Sequence, residues 1–258
     1  MKVVIIADLS STIKNSQGES YIEKLYKIFI KQYSEVLIQC PESAIEQISK
    51  TVPSEKIMSE PQQKGTAAAI GLATAYLAST SPHELVVYIF ANQNVAYQDR
   101  LMNTLSVASD MYKHLGRMLL VGVSITDPNS SYGYIKIGKV LQEISGLIAF
   151  ELSSFQRDLS DDQRHDANNS WRYLWDTGCM VCKPENLLEI YKEAMPEMYG
   201  GLTTIKAAIG TKFEKEIVGA VYSSFPKISM AKGVYEKIDI AKVAVIPVDL
   251  GISKSTNL

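Results

Sequence analysis

Cys179-Met180-Val181-Cys182 has the spacing of a redox dithiol or of half a zinc site. A redox pair normally opens a helix, whose N-terminus lowers the thiol pKa. This pair ends a stretch that reads as a strand, where residues three apart point to opposite faces. No second pair completes a zinc set. Core packing, redox chemistry and metal ligation all stay open, and the strand-end position favours core packing. His83, His114 and His165 have no evident catalytic partner, so each reads as a surface or capping residue. The polar stretch from Asp158 to Ser170 holds Asp161, Asp162, Arg164, His165, Asp166, Asn168 and Asn169. It reads as a solvated helix or a mobile loop, with a metal site as the lesser alternative. No G-x-S-x-G elbow and no P-loop occurs. The first strand-to-helix turn is Asp8-Leu9-Ser10-Ser11-Thr12. Without a glycine, it does not lay bare backbone against a pyrophosphate in the usual way.

Two stretches are less generic. Glu60-Pro61-Gln62-Gln63-Lys64-Gly65-Thr66-Ala67-Ala68-Ala69-Ile70 is a turn feeding a small-residue helix. Gly65 and Thr66 bring that helix N-terminus within reach of a polar ligand edge; a capped structural helix is the competing reading. In Ser130-Ser131-Tyr132-Gly133-Tyr134-Ile135, a glycine inside a strand marks a bulge or the close approach of a ligand.

The elements that must position these residues alternate. Strands read at Val3–Ala7, Glu35–Cys40, Lys56–Ser59, Leu85–Ala91 and Met118–Ser124. Helical periodicity fills Tyr21–Tyr33, Ser43–Lys50, Gly65–Ala78 and Arg100–His114 between them. This order predicts parallel βαβ units in an α/β sheet, with ligands beyond the carboxyl ends of the strands. The second half is less regular. It has strands at Tyr132–Ile137, Gly146–Glu151, Tyr173–Cys182 and Val243–Val248, and helices at Pro184–Ala194 and Leu202–Tyr222.

Composition bounds the function classes. The chain has 258 residues, 46% of them hydrophobic and 21% charged, with a net charge of −2. That suits a folded domain and gives nucleic acid or an anionic membrane no basic surface to meet. No apolar run is long enough for a membrane span, and Val3–Ala7 is too short for a signal-peptide core. Three cysteines, an odd and sparse count, fit free thiols in a reducing compartment, so a cytoplasmic location is expected.

The two stretches, in this order, resemble the sugar-phosphate nucleotidyltransferases, specifically the mannose-1-phosphate guanylyltransferase (GDP-mannose pyrophosphorylase) family. Lys64-Gly65-Thr66-Ala67 stands where that family has arginine-asparagine-threonine-alanine after a glutamate-proline. The run from Gly122 to Ile135 is similar to its strand, proline turn and Gly-Tyr-Gly-Tyr-Ile segment. Leu174-Trp175-Asp176-Thr177-Gly178 is similar to its leucine-tryptophan-asparagine-serine-glycine. Phe225–Lys237 and Val245–Gly251 resemble its closing segments. The resemblance is colinear over nearly the whole chain. It implies a Rossmann-like, glycosyltransferase-A-like α/β fold with a mixed, mainly parallel central sheet flanked by helices. It further implies one domain over residues 1–258, with no appended C-terminal β-helix or cupin domain.

The family joins a nucleoside triphosphate to a sugar 1-phosphate and releases pyrophosphate, with magnesium. Such chemistry needs preorganised charge around the transferred phosphoryl group. Here the resemblance fails at particular positions. Asp8, Leu9 and Ser11 replace loop glycines, Ile13 replaces an arginine, and the following proline-lysine is missing. Asn92 stands for a metal-binding aspartate, Leu152 for the lysine after Glu151, and Asp176 for an asparagine near the sugar. Ala231 and Lys254 replace further aspartates. Removing one charge-stabilising donor typically costs about 10²–10³ in rate. The expectation is therefore a catalytically inactive member with a regulatory, scaffolding or sugar-nucleotide-binding role. It has no catalytic residues and no cofactor. By the resemblance, Glu60, Thr66, Ala67, Gly133, Glu151, Trp175, Asp176 and Gly178 remain as vestigial substrate-binding positions; a structural role, with Trp175 and the small helix packing the core, is the competing reading. Its partners would be a sugar nucleotide or sugar phosphate, and an active paralogue or a second copy. The alternative is a divergent active nucleotidyltransferase, which would require magnesium.

Overall fold

The computed structural model describes residues 1–14, 18–126 and 132–254. The first half follows the predicted alternation. β1 (Lys2–Ile6), α1 (Tyr21–Phe29), β2 (Val36–Pro41), the short α2 (Ile45–Ile48) and β3 (Ile57–Glu60) lead into α3 (Thr66–Thr80) and β4 (Val86–Phe90). After the two-residue β5 (Gln93–Asn94) come α4 (Gln98–Leu115) and β6 (Met118–Ser124). The second half holds β7 (Tyr134–Ile144), β8 (Leu147–Gln156), α5 (Asp161–Asn168), β9 (Tyr173–Cys182), α6 (Pro184–Ala194), α7 (Pro196–Ala208), α8 (Glu214–Ser223), β10 (Val243–Pro247) and β11 (Ser253–Lys254).

Nine strands form one mixed sheet in the order β3-β2-β1-β4-β9-β6-β10-β8-β7. The β3-β2-β1-β4 half is parallel, and so is the β6–β10 pair. The parallel share is smaller than the alternation alone suggested, because β9 enters antiparallel to β4 and β6, and β8 antiparallel to β10. α3 packs on β1, β2 and β3 and against α6 and α7. Its alanines are buried on nearly every side, since only small side chains let a helix lie this close to its neighbours.

β9 decides where a site can form. β6 runs along both its halves, but its other edge is shared: Tyr173–Trp175 pair with β7, and Met180–Cys182 with β4. Between them Thr177 and Gly178 bulge out of the ladder, where the β6 register jumps from Val121↔Cys179 to Gly122↔Asp176. Thr177 fills the gap by donating its hydroxyl to the Val121 carbonyl (2.7 Å). Bulges re-aim side chains, and ligands gather where strands of an α/β sheet diverge.

Two expectations change, and a third is settled between its alternatives. The single helix over Leu202–Tyr222 is two helices, because Gly210 (φ 78°) ends α7 and its N–H is taken by Glu214 Oε2 (2.7 Å) at the start of α8. The strands after Tyr132 are longer than their apolar patterns and form a hairpin. Ser145 (φ 51°) and Gly146 (φ 78°) supply the left-handed turn that β7 and β8 need. The polar stretch after Asp158 is a helix, closed at its start by a capping box between Ser160 and Gln163. Ser130 and Ser131 of the glycine-in-strand motif lie outside the described residues.

Candidate functional site

Two adjoining cavities open at the carboxyl ends of β1, β4 and β3 and along the β9 bulge. They share Thr66, Phe90 and Asn92 and form one cleft with an outer and an inner lobe. The outer lobe, about 260 Å³, lies between the Asp8 turn and the start of α3 and is bordered by Glu60 and Lys227. The inner lobe, about 270 Å³, is lined by Gly133, Asp176, Gly178 and Arg157, with Tyr132 and Tyr235.

The wall shared by the lobes is built by backbone. Gly65 (φ 86°) turns the chain into α3, and a Cβ there would stand 2.5 Å from the Ile228 carbonyl oxygen. That close approach lets Ile228 N–H donate to the Lys64 carbonyl (3.0 Å) and Ala67 N–H to the Ile228 carbonyl (3.2 Å). The Thr66 hydroxyl accepts from Met230 N–H (2.8 Å). Tyr191 supports the same turn from beneath, donating to the Ala67 carbonyl (2.6 Å). Glu60 is buried and accepts the Tyr222 hydroxyl. Burial raises its pKa, against the opposing pull of Tyr222 and the Lys64 N–H.

The Asp8 turn is closed on itself. Its carboxylate accepts Ser11 N–H (3.0 Å) and the Ser10 hydroxyl (2.5 Å), while the Ser11 hydroxyl donates to the Asp8 carbonyl (2.6 Å). A glycine turn would leave such N–H groups for a phosphate. Here an internal anion uses one of them, and its charge opposes a second anion.

The inner lobe differs. Gly178 (φ 66°) has no room for a side chain, because a Cβ would stand 1.9 Å from Phe90 Cδ2. Its N–H donates to Asp176 Oδ1 (2.9 Å), and Asp176 N–H donates to the Gly133 carbonyl (2.8 Å). Asp176 is thus held facing the cavity. Burial pushes its carboxyl up to about 6, against the pull of Gly178 N–H and then of Arg157.

Of the predicted positions, Glu60 and Thr66 border the outer lobe, and Thr66, Gly133, Asp176 and Gly178 the inner one. Ala67 lies buried below the cleft wall. Trp175 is buried behind the inner lobe, its ring 5.2 Å from that of Tyr132. Glu151 borders neither lobe; it sits on β8 beside Gly138. Sequence reading missed Arg157, Lys227 and Tyr235. Arg157 follows the end of β8, six residues beyond Glu151, and it supplies the inner lobe with the cation that position 152 lacks. A basic residue just past a strand's carboxyl end was the available signal. The three cysteines are buried and free, with burial raising each thiol to about 12.

The residues present do not fit a magnesium ion of the kind the resemblance implies. Magnesium takes oxygen ligands, usually with one or two carboxylates. Asn92 at the junction of the lobes is neutral, Asp8 and Asp176 border different lobes, and Glu60 is engaged by Tyr222. Among the described residues no group of three or more His, Cys, Asp or Glu is placed to hold a metal.

Residues 10–156 match the nucleotidyl transferase family. The chain belongs to that family. Its sugar-phosphate branch is where the relatives lie. The mannose-1-phosphate guanylyltransferase of Escherichia coli K12 is 26% identical over 205 residues, 78% of this chain and 42% of that protein. The alginate biosynthesis protein AlgA of Pseudomonas fluorescens is 26% identical over 209 residues, 80% of this chain and 42% of its own length. The chain thus spans about two-fifths of the curated relatives it matches. Two solved structures share the fold. One, described as a mannose-1-phosphate geranyltransferase from Thermus thermophilus, superposes with a TM-score of 0.81 at 19% identity, covering 98% of this chain and 75% of that one. The other, described as a mannose-6-phosphate isomerase from Helicobacter pylori, gives 0.80 at 18% identity, covering 98% and 100%. Among the described residues of this family member, no helix is long and apolar enough to cross a membrane.

Proposed function

We propose that this chain binds a sugar nucleotide or sugar phosphate in the two-lobed cleft without joining nucleotide to sugar, and acts as a regulatory or scaffolding partner. An active paralogue or a second copy of the chain is the protein partner this reading names. The observation that carries it is the Asp8 turn, whose carboxylate accepts Ser11 N–H and the Ser10 hydroxyl. Phosphoryl transfer depends on donors aimed at developing charge. A carboxylate at that place spends a donor and repels a triphosphate. The poor fit of the cleft to magnesium supports the same reading.

The alternative is a divergent active nucleotidyltransferase. Arg157 in the inner lobe and Lys227 in the outer one favour it, since each could meet a phosphate. Thermal unfolding against a panel of GTP, mannose 1-phosphate and GDP-mannose, with and without magnesium, tests binding. A ligand that binds the folded state raises the melting temperature by mass action. The proposal expects a rise with GDP-mannose or mannose 1-phosphate that magnesium does not change. No rise with any member of the panel contradicts it, and a rise that requires magnesium favours the alternative.

A further inference from the structure

The inner lobe combines features that a neutral sugar ring does not require. Asp176 borders it with a carboxylate whose Oδ1 accepts Gly178 N–H. Among the described residues no ion pair includes Asp176. The rings of Phe90, Tyr132 and Tyr235 border the same space. A carboxylate among aromatic rings is a setting for an ammonium group, which gains from both the charge and the ring faces. Arg157, exposed and bordering the same lobe, is a cation suited to an anion. Cavities for drug-sized ligands run to roughly 300–1,000 Å³. At about 270 Å³ this lobe suits a single ring.

We infer that the inner lobe selects an aminated sugar phosphate, its ammonium on Asp176 and its phosphate on Arg157. This rests on the reading of the cleft as a sugar-phosphate site and names the class of sugar. The carboxylate would also disfavour a phosphate placed deep in the lobe, which fixes the ligand's direction: ring inward, phosphate outward. Burial outweighs the pull of Gly178 N–H and Arg157 on the Asp176 carboxyl, so a ligand's ammonium would meet a charge that these partners offset only in part.

Calorimetric titration with glucosamine 1-phosphate, N-acetylglucosamine 1-phosphate and glucose 1-phosphate tests this. The expected result is at least tenfold tighter binding of the free amine than of the other two. Asp176→Asn should abolish the preference, and Arg157→Gln should weaken all three ligands alike. Comparing the amine with its N-acetyl form needs only the unaltered protein, so the test does not depend on either variant folding. Equal binding of glucose 1-phosphate and the amine overturns this inference and leaves the sugar-phosphate reading standing. So does a preference that survives in Asp176→Asn. Binding of none of the three removes the inference, and with mannose 1-phosphate and GDP-mannose also silent it removes the sugar-phosphate reading.

Discussion

Asp8 and Asp176 do the same local job with opposite consequences. Each carboxylate accepts a backbone N–H a few residues ahead: Ser11 N–H for Asp8 and Gly178 N–H for Asp176. At Asp8 the neighbouring hydroxyls complete the set, and the turn closes as a short 3₁₀ segment with the exposed carboxylate tied inward. At Asp176 the turn is a bulge wedged between two diverging strands, and the carboxylate faces a cavity with aromatic sides. One region has used its own donors, whereas the other keeps a charge in reserve. In the proposed reading the same residue type therefore closes a phosphate site in one place and shapes a ligand site in another, and only the surrounding backbone distinguishes them.

The comparison can be broken most forcefully at Gly178. Its φ of 66°, and the mere 1.9 Å that would separate an added Cβ from Phe90, leave no room for alanine. Left-handed strain costs roughly 1–2 kcal/mol and overpacking roughly 1–3 kcal/mol, so Gly178→Ala should destabilise the fold by about 2–5 kcal/mol in urea unfolding. A loss under about 0.5 kcal/mol, the range of ordinary surface changes, would mean that the bulge does not need the glycine.

The two aspartates should then respond with opposite signs. Asp176 titrates near 6, above the ordinary value, because burial disfavours its charge more than Gly178 N–H and Arg157 favour it. Tyr235 and Cys179 also lie within electrostatic reach of it. The cost of the charge is absent below the unfolded value near 4, grows as pH rises through the folded value near 6, and is complete above it. Asp176→Asn should match the unaltered protein in stability at pH 4 and exceed it at pH 7 by on the order of 1–3 kcal/mol. A variant less stable at pH 7 would show that the carboxylate is compensated. Asp8→Ala removes the side-chain acceptor of Ser11 N–H, leaving it the Asp8 carbonyl, and should cost about 1 kcal/mol, the value of a lost cap, by the same unfolding measurement. A gain in stability there would mean that the turn is strained by its aspartate.

Much of this was legible in the sequence. The alternation from Val3 to Ser124 is set by local apolar periodicity and gives the parallel half of the sheet. β9 and α6 match their predicted spans, since Pro184 marks the helix start and apolar residues fill both ends of the strand around Asp176-Thr177-Gly178. Thr66, Gly133, Asp176 and Gly178 come together in the cleft from distant segments, as colinear motifs suggested. What was not legible depended on pairing. The hairpin turn at Ser145-Gly146 and the break at Gly210 are backbone conformations that apolar spacing does not encode. Arg157 was missed because β8 runs five residues past its predicted end, which moves the residue at the cleft from position 152 to 157.

In the proposed reading the cleft has kept a ligand site and lost phosphoryl transfer. Pyrophosphate release from GTP and mannose 1-phosphate in the presence of magnesium tests it most directly. No release above a protein-free control is expected, with Asp8 closing its own turn and no carboxylate set for the metal among the described residues. Sustained, magnesium-dependent release by the unaltered protein would contradict it.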